Sequence, residues 1–454
     1  KFNSFKVNVG VAGSTKKFYY NVGYTNYTSN GISEAKDPTG KNNFDNDGLT
    51  QKALQANFGI HPTDMLSIKP FVRYNYFQGK YDAGAFTDDT KDKSTSTLLN
   101  FGTSAQYQLT KGVIHFLYGY DQSNRTYDDT YGKYDYKGRF NQVELFFNYD
   151  LTKQIQFLGG ASQQWFKMLD TTATEKNPKT TLTSPYLSVF LHNTGGFTME
   201  VGGRYNQHSK YGNTFTYSFN PSYILNNSLK IFFNYSTGFR APSLNQLYGQ
   251  YGANPDLKAE TSNNIESGFQ FFTSDKKINI RAVAFKRQIK DVIIYTSAGR
   301  YSNFDQQKDY GFEIEPSVNV AKKITIKAFY AFVTGQVKTQ VAGRDTTYNN
   351  LLRRPKNSMG VNVGYQINPK LYVSINLKTF SVRNDMYFDL NSFTNQSASL
   401  SGYQLLDAYG EYKFLKGNLN LFAQLKNLLN QDYMEVYGYN TMRFNAVIGV
   451  KVKF

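Results

Sequence analysis

The chain of 454 residues carries 51 Lys and Arg against 34 Asp and Glu, a formal net charge of +17, and no cysteine. Disulfides, thiolate metal sites and cysteine nucleophiles are therefore excluded. Tyr and Phe number 37 each and mean hydropathy is −0.53; with no apolar run of about 18 residues a transmembrane helix is excluded, whereas a barrel that hides its lipid face in every second residue is not.

The first residues, KFNSFKVNVG, contain no Met, apolar signal core or cleavage site, so a mature product or a fragment is expected. From there the chain alternates apolar and polar residues in one segment after another. LKIFFNYS sets Leu229, Ile231, Phe233 and Tyr235 opposite Lys230, Phe232 and Asn234, and LYVSINLK sets Leu371, Val373, Ile375 and Leu377 opposite Tyr372, Ser374, Asn376 and Lys378. NLNLFAQLK repeats the pattern from Leu419 to Leu425. A period of two predicts half-buried strands, although a soluble sandwich would give the same signal.

The connections separate the two architectures. Short turns are expected at GSTK, HPTD, TKG, LTKQ, NTGG, LNNS, SDKK, VAKK, INPK and LKG. Between them fall longer polar connections, such as 31–50, 80–93, 238–261, 337–355 and 385–401. Short turns at one end and long loops at the other are the pattern of an outer-membrane barrel. Ten turns and ten loops predict 21 strands. The odd number leads to the expectation that a first strand, before Phe5, is absent, because closed barrels of this kind normally have an even number. The last segment, FNAVIGVKVKF, puts Phe444, Ala446, Ile448, Val450, Val452 and Phe454 on one face and ends on an aromatic residue, as barrel-assembly signals do.

Catalytic signatures are lacking. The four histidines, His61, His115, His192 and His208, lie far apart, and no nucleophile elbow, phosphate-binding glycine loop or paired-histidine metal motif is present. An enzyme is not expected. Lys and Arg are spread over turns, loops and strand faces without a nucleic-acid motif, so no nucleic-acid role is read. Their expected partners are water, lumen groups, outer-membrane lipids and lipopolysaccharide phosphates.

The segment GFRAPSLNQLYGQYGANPDLKAET, residues 238–261, carries the most specific signal. Its Phe239-Arg240-Ala241-Pro242, Asn254-Pro255-Asp256-Leu257 and Glu260-Thr261-Ser262 elements resemble those bracketing a long extracellular loop in TonB-dependent outer-membrane receptors. LLRRPKNS from Leu351 and LKNLLNQDYMEVYGYNTMRFN from Leu425 resemble two further family segments, in the expected order. The resemblance implies an all-β fold: a transmembrane antiparallel β-barrel of the 22-stranded type, occupying residues 1–454, with the plug domain and first strand absent. It also implies a bacterial outer-membrane location, a plug in the lumen, and active uptake driven through TonB.

Within the family, LNQLYGQYGANPDL, DNDG at Asp45, YGKYD at Tyr131 and EVYGYNT at Glu435 resemble the vitamin B12 (cobalamin) receptors. Residues 243–253 hold no histidine, which disfavours haem. A ferric-siderophore receptor is the alternative, and a passive channel a weaker one. From the resemblance, Tyr131, Tyr134, Asn245, Tyr248 and Tyr251 are candidate corrinoid-binding residues, and Asp45, Asp47, Asp128 and Asp135 candidate Ca²⁺ ligands ordering the loops, with solvated acidic loops as the alternative. Hard carboxylate oxygens drawn from two loops suit Ca²⁺. A surface lipoprotein that caps the loops is left open as a further partner.

Overall fold

The structure, a computed structural model, describes residues 2–41, 43–169, 175–296, 298–321, 323–341, 344–348, 352–389, 392 and 394–454. In chain order the strands are β1 (Phe5–Ser14), β2 (Phe18–Ser29), β3 (Leu49–Ile60), β4 (Leu66–Lys80), β5 (Lys93–Leu109), β6 (Gly112–Asp129), β7 (Gly132–Asp150) and β8 (Ile155–Leu169). Next come β9 (Lys179–Thr194), β10 (Phe197–His208), β11 (Gly212–Leu225), β12 (Leu229–Arg240), β13 (Glu260–Phe272), β14 (Ile278–Tyr295), β15 (Tyr301–Val320) and β16 (Ile324–Val341). The last are β17 (Arg344–Tyr348), β18 (Asn357–Asn368), β19 (Leu371–Phe380), β20 (Arg383–Asp389), β21 (Thr394–Leu400), β22 (Tyr403–Phe414), β23 (Leu419–Lys426) and β24 (Asn445–Val452).

β20 and β21 form a separate hairpin, and β17 joins the main sheet only by pairing with the outer end of β16, Val337–Val341, so that 21 of the 24 strands make the continuous wall, the number expected. The wall is one antiparallel meander in which each strand pairs with the wall strand before and after it, β16 passing directly to β18 and β19 to β22. Among the described residues, β1 pairs only with β2 and β24 only with β23. All ten short turns fall where the sequence put them, at one end of the sheet.

The two faces of the wall have opposite chemistry. On β7, Val143, Leu145, Phe147 and Tyr149 share one face, and Leu145 is 56% exposed, as befits a side chain that lipid covers. The opposite face carries Gln142, Glu144 and Asn148. Glu144 accepts a 2.6 Å hydrogen bond from the Tyr186 hydroxyl of β9, and Gln142 accepts one from Gln164 of β8. The outer face thus satisfies the hydrocarbon, while the inner face satisfies polar groups with one another.

The far end differs from expectation in three places. The β6–β7 connection is not a long loop: pairing runs up to Asp129 opposite Gly132, and Asp129 Oδ1 accepts from the backbone N–H groups of Tyr131 and Gly132 to cap the turn. YGKYD therefore belongs mostly to a strand. The β10–β11 connection is equally tight, with His208 opposite Gly212. The stretch 385–401 holds the β20–β21 hairpin rather than an irregular loop. Parts of 337–355 and 385–401, including Leu351, lie outside the described residues.

Candidate functional site

The long loop after β12 is built by local rules. Ser243 caps the short helix α1 (Leu244–Tyr248) through its hydroxyl, which accepts from Gln246 N at 3.2 Å, while the Gln246 side chain accepts from Ser243 N at 2.9 Å. This reciprocal Ser-x-x-Gln arrangement satisfies two helix-end donors. Leu247 and Leu257 are fully buried and anchor the loop. At its base Arg240 grips Glu260 with two bonds, Nε to Oε2 at 2.5 Å and Nη2 to Oε1 at 2.6 Å. Glu260 also accepts from Ile293 N at 2.7 Å, so one carboxylate fastens β12, β13 and β14 together.

Beside this loop lies a cavity of about 1460 Å³, walled by the β6–β7 hairpin, the end of β8 and residues 239–245. That exceeds the usual range for small-molecule sites. Its aromatic lining includes Tyr81, Tyr127, Tyr134, Tyr136, Phe140 and Tyr251. Tyr134 and Tyr251 meet edge to face at 5.7 Å, and Tyr127 meets both Tyr81 and Tyr136 in the same manner. Of the basic side chains, Arg125 shares the lumen face of β6 with Ser123 and Tyr127. Lys137 and Arg139 line the cavity along the strand but lie on the face of β7 that carries Leu145 and Phe147. Alternation therefore leaves the cavity aromatic rather than strongly cationic.

Of the five residues expected to bind ligand, Tyr131, Tyr134, Asn245 and Tyr251 line this cavity. Tyr131, at the hairpin tip, is 84% exposed. Tyr248 is not among the lining residues; its hydroxyl accepts from Lys210 Nζ at 3.1 Å.

A second feature lies at the loops after β2 and β4. Carboxylate oxygens of Asp45, Asp47 and Asp82 lie within 4.8 Å of one another. Asp47 and Asp82 are only 6% and 5% exposed. Asp82 Oδ2 accepts from Ala35 N at 2.6 Å and from the Ser33 hydroxyl, and Asp82 Oδ1 accepts from Asp89 N. Asp47 Oδ2 accepts from Glu34 N at 2.6 Å, and Lys80 Nζ sits 3.0 Å from Asp45 Oδ2. Three buried oxygens have no partner: Asp45 Oδ1, Asp47 Oδ1 and Asp88 Oδ1. Unpaired buried carboxylate oxygens are costly, and together they present a hard-oxygen set of the kind that suits Ca²⁺. Burial pushes the Asp47 carboxyl up to about 7 against the pull of the Glu34 N–H, and the charge of Asp82 adds to the rise. Burial and the charges of Asp82 and Asp45 raise Asp88 as well.

The other two expected ligands stand elsewhere. Asp128 pairs with Lys93 at 3.1 Å, and Asp135 accepts from the Thr126 hydroxyl. Both belong to the outer face of the β6–β7 hairpin, opposite the face that carries Tyr127, Tyr134 and Tyr136. Sequence reasoning missed Asp82 and Asp88, although the acidic stretch YDAGAFTDDTKD inside the 80–93 connection carried the signal.

The last loop, between β23 and β24, locks this cluster from outside. Asn440 donates to the Ala35 carbonyl at 2.7 Å and to Ser33 O, its own N–H reaches Glu34 O, and Gly438 O accepts from both Lys36 N and Phe86 N. Gly438 has φ +82 and a Cβ there would meet Ala85 at 2.5 Å, so glycine is required. Tyr437 N donates to Asp385 Oδ2, whose other oxygen accepts from Arg353 Nε at 2.7 Å. Arg353 and the EVYGYNT stretch thus serve one loop assembly.

Residues 99–428 match the family described as TonB dependent receptor-like, beta-barrel. Among solved structures, the siderophore receptor PirA from Acinetobacter baumannii is similar at TM-score 0.81 and 14% identity, covering 99% of this chain and 77% of that one. The FrpB iron transporter from Neisseria meningitidis (F3-3 variant) is similar at TM-score 0.84 and 14% identity, with 99% and 79% covered. The ferric enterobactin receptor PfeA from Pseudomonas aeruginosa (mutant R480A, in complex with enterobactin) gives TM-score 0.79 and 13% identity, with 99% and 78% covered. At such identities the likeness establishes the fold. The family match spans well over half of the chain, which therefore belongs to the TonB-dependent receptor β-barrels, a family of receptors in the outer membrane of Gram-negative bacteria.

Proposed function

We propose that this barrel takes up cobalamin or a related corrinoid by TonB-dependent active transport, with Ca²⁺ ordering the extracellular loops over the ligand. The observation that carries this reading is the carboxylate cluster, with its three orphaned buried oxygens, which joins Asp45 and Asp47 of the DNDG stretch singled out by the corrinoid-receptor resemblance to Asp82 of the loop after β4. Asp45, Asp47 and Asp82 would hold the ion, with Asp88 beside them. Bound there, Ca²⁺ supplies positive charge that ties the two loops together. Tyr81, next to Asp82 in the chain, lines the cavity, so fixing the cluster fixes part of the ligand wall. Tyr134 and Tyr251 present aromatic surface to a flat macrocycle, and Asn245 presents an amide. A plug in the lumen, pulled by TonB at the expense of the inner-membrane proton-motive force, then opens the path.

A ferric-siderophore ligand is the second reading. The similar structures favour it, since PirA and PfeA are siderophore receptors and FrpB an iron transporter. Arg125 in the cavity would suit an anionic chelate.

Titration of the chain with cyanocobalamin tests the choice. Tyr134→Ala and Tyr251→Ala are each expected to weaken binding by about 3–10-fold, the worth of one aromatic contact. Unchanged affinity in both variants would remove the cavity from the account.

The raised Asp47 carboxyl sets a pH dependence. Below about pH 7 Asp47 holds a proton that the cation must displace, so Ca²⁺ affinity should fall by up to about tenfold per pH unit below 7. Without metal the sign reverses. The folded carboxyl titrates above its ordinary 3.8, so the native loops bind the extra proton between about 4 and 7 and lose stability as pH rises through that window. Calcium titrations at pH 6 and pH 8 measure the first effect, and loop hydrogen exchange in chelator the second.

A further inference from the structure

The lumen face of β1–β6 holds a second hollow, deeper in the barrel than the aromatic cavity. Register runs one lateral row across six strands: Gly10 of β1, Gly23 of β2, Gln55 of β3, Arg73 of β4, Asn100 of β5 and Asp121 of β6. Directly paired residues share a face. Alternation along β6 puts Asp121 with Ser123, Arg125 and Tyr127, on the lumen face. On β1 the other face carries Val9 and Val11, both well exposed, as lipid-covered side chains are. The hollow measures about 780 Å³, within the usual range for small-molecule sites. Asp121 lines both it and the aromatic cavity, and stands six residues, or about 20 Å, along β6 from Tyr127 toward the short turns. The two spaces are therefore neighbours on one path down the wall.

Small residues open the hollow and amides surround it. At Gly10 a Cβ would meet only Val22 O, at an ordinary 3.5 Å, so the backbone does not require glycine there and what glycine leaves is space. Around that space stand Asn21, Gln55 and Asn75, with Arg73 among them. Among the described residues, none of these four side chains hydrogen-bonds to another protein group, and Arg73 lies over the Phe71 ring at 5.0 Å. Lumen amides on β11–β13 behave differently. There Asn220 donates to Glu200, Asn234 to Glu266 and Gln270 to Asn279, so the wall satisfies itself. In the hollow the one such pair is at its border, where Asn100 donates to Asp121 at 2.6 Å.

A carboxamide offers two donors and two acceptor lone pairs, so it satisfies another carboxamide in both directions, which a carboxylate or an ammonium does not. Open amides around a ligand-sized space are thus complementary to a ligand that itself carries carboxamides. A corrinoid does so around the rim of its macrocycle.

We propose that this hollow is a second ligand subsite, a transit station below the aromatic cavity that receives the carboxamide rim of the corrinoid. Gln55, Asn75 and Asn21 pair with rim amides, and Arg73 donates to an acceptor oxygen of the ligand. The subsite rests on the corrinoid reading given above. In the receptor the ligand reaches it after the plug has moved, leaving aromatic surface for amide surface on its way toward the short turns.

The test is a calorimetric titration of the detergent-solubilised 454-residue chain with cyanocobalamin in calcium. Two saturable steps per barrel are expected. Tyr134→Ala with Tyr251→Ala should weaken the tighter step and spare the other. Gln55→Ala, Arg73→Ala and Asn75→Ala together should spare the tighter step and weaken the second by about 100-fold, each hydrogen-bonding side chain being worth about fivefold. Gly10→Phe fills the hollow while keeping all of those groups, and should abolish the second step. The control Asn220→Ala, Asn234→Ala, Gln270→Ala, elsewhere on the lumen face, should bind as the parent does. Retention of heat-modifiable barrel migration on gels shows that each variant is folded. A single step in the parent would overturn the subsite and leave the corrinoid reading standing. A second step that survives both Gly10→Phe and the triple variant, or that falls equally in the control, would do the same. Absence of any cyanocobalamin binding would overturn the corrinoid reading and the subsite with it.

Discussion

Replacing Asp47 and Asp82 together by asparagine is expected to abolish the calcium dependence of ligand binding and to weaken cyanocobalamin binding in calcium by about 100-fold. That is the upper part of the range for coupling between two sites. Both carboxylates are buried, and their second oxygens hold the backbone of residues 34 and 35, which the last loop grips through Asn440. Asparagine keeps an acceptor for those backbone N–H groups, so the loop path survives while the charge is lost. The double variant should bind ligand equally in calcium and in chelator, at the affinity of the calcium-free parent. Calorimetry of parent and variant in both conditions measures this, and a preserved calcium effect would place the ion elsewhere. Gly31 gives an independent handle. It has φ +66, and a Cβ there would meet Asp47 O at 2.0 Å, so Gly31→Ala should disturb the same cluster without touching a carboxylate.

Glu260→Ala should have the second largest effect. It removes the acceptor for two Arg240 bonds and for Ile293 N in one step, at a site where Glu260 is 8% exposed. Hydrogen bonds to a charged group are worth roughly 1.5–3 kcal/mol. The Arg240 side chain is half exposed, so water compensates part of that loss and a net cost of about 2 kcal/mol is expected. The loop 240–260 would open roughly 30-fold more often, and its residues Pro242 to Asn245 and Tyr251 line the cavity. Faster hydrogen exchange confined to this loop, with the remaining wall unchanged, is the expected signature. Global loss of the barrel would show instead that the ion pair supports the whole wall.

Reading the wall from the sequence succeeded because its determinants are local. Alternation sets each strand's faces and short turns set its ends, so 21 strands were countable before any pairing was known. What failed depended on tertiary register or on one turn's chemistry. Asp129 capping its own hairpin turn carries the β6–β7 pairing much further than loop composition suggests. That extension put Asp128 and Asp135 on strands, facing away from the aromatic cavity. Asp45 and Asp47 were legible from DNDG, but their meeting with Asp82 and Asp88, about 40 residues on, requires two loops to fold over each other. Helix α1 was missed although Ser243 and Gln246 carry a capping box.

The proposed function has a calcium-ordered aromatic cavity on this barrel receive a corrinoid. Equilibrium binding of cyanocobalamin and of a ferric tris-catecholate siderophore, side by side in calcium and in chelator, tests it most directly. Saturable cyanocobalamin binding that weakens when calcium is removed is expected, with no saturable binding of the siderophore. Saturable binding of the siderophore with none of cyanocobalamin would contradict it.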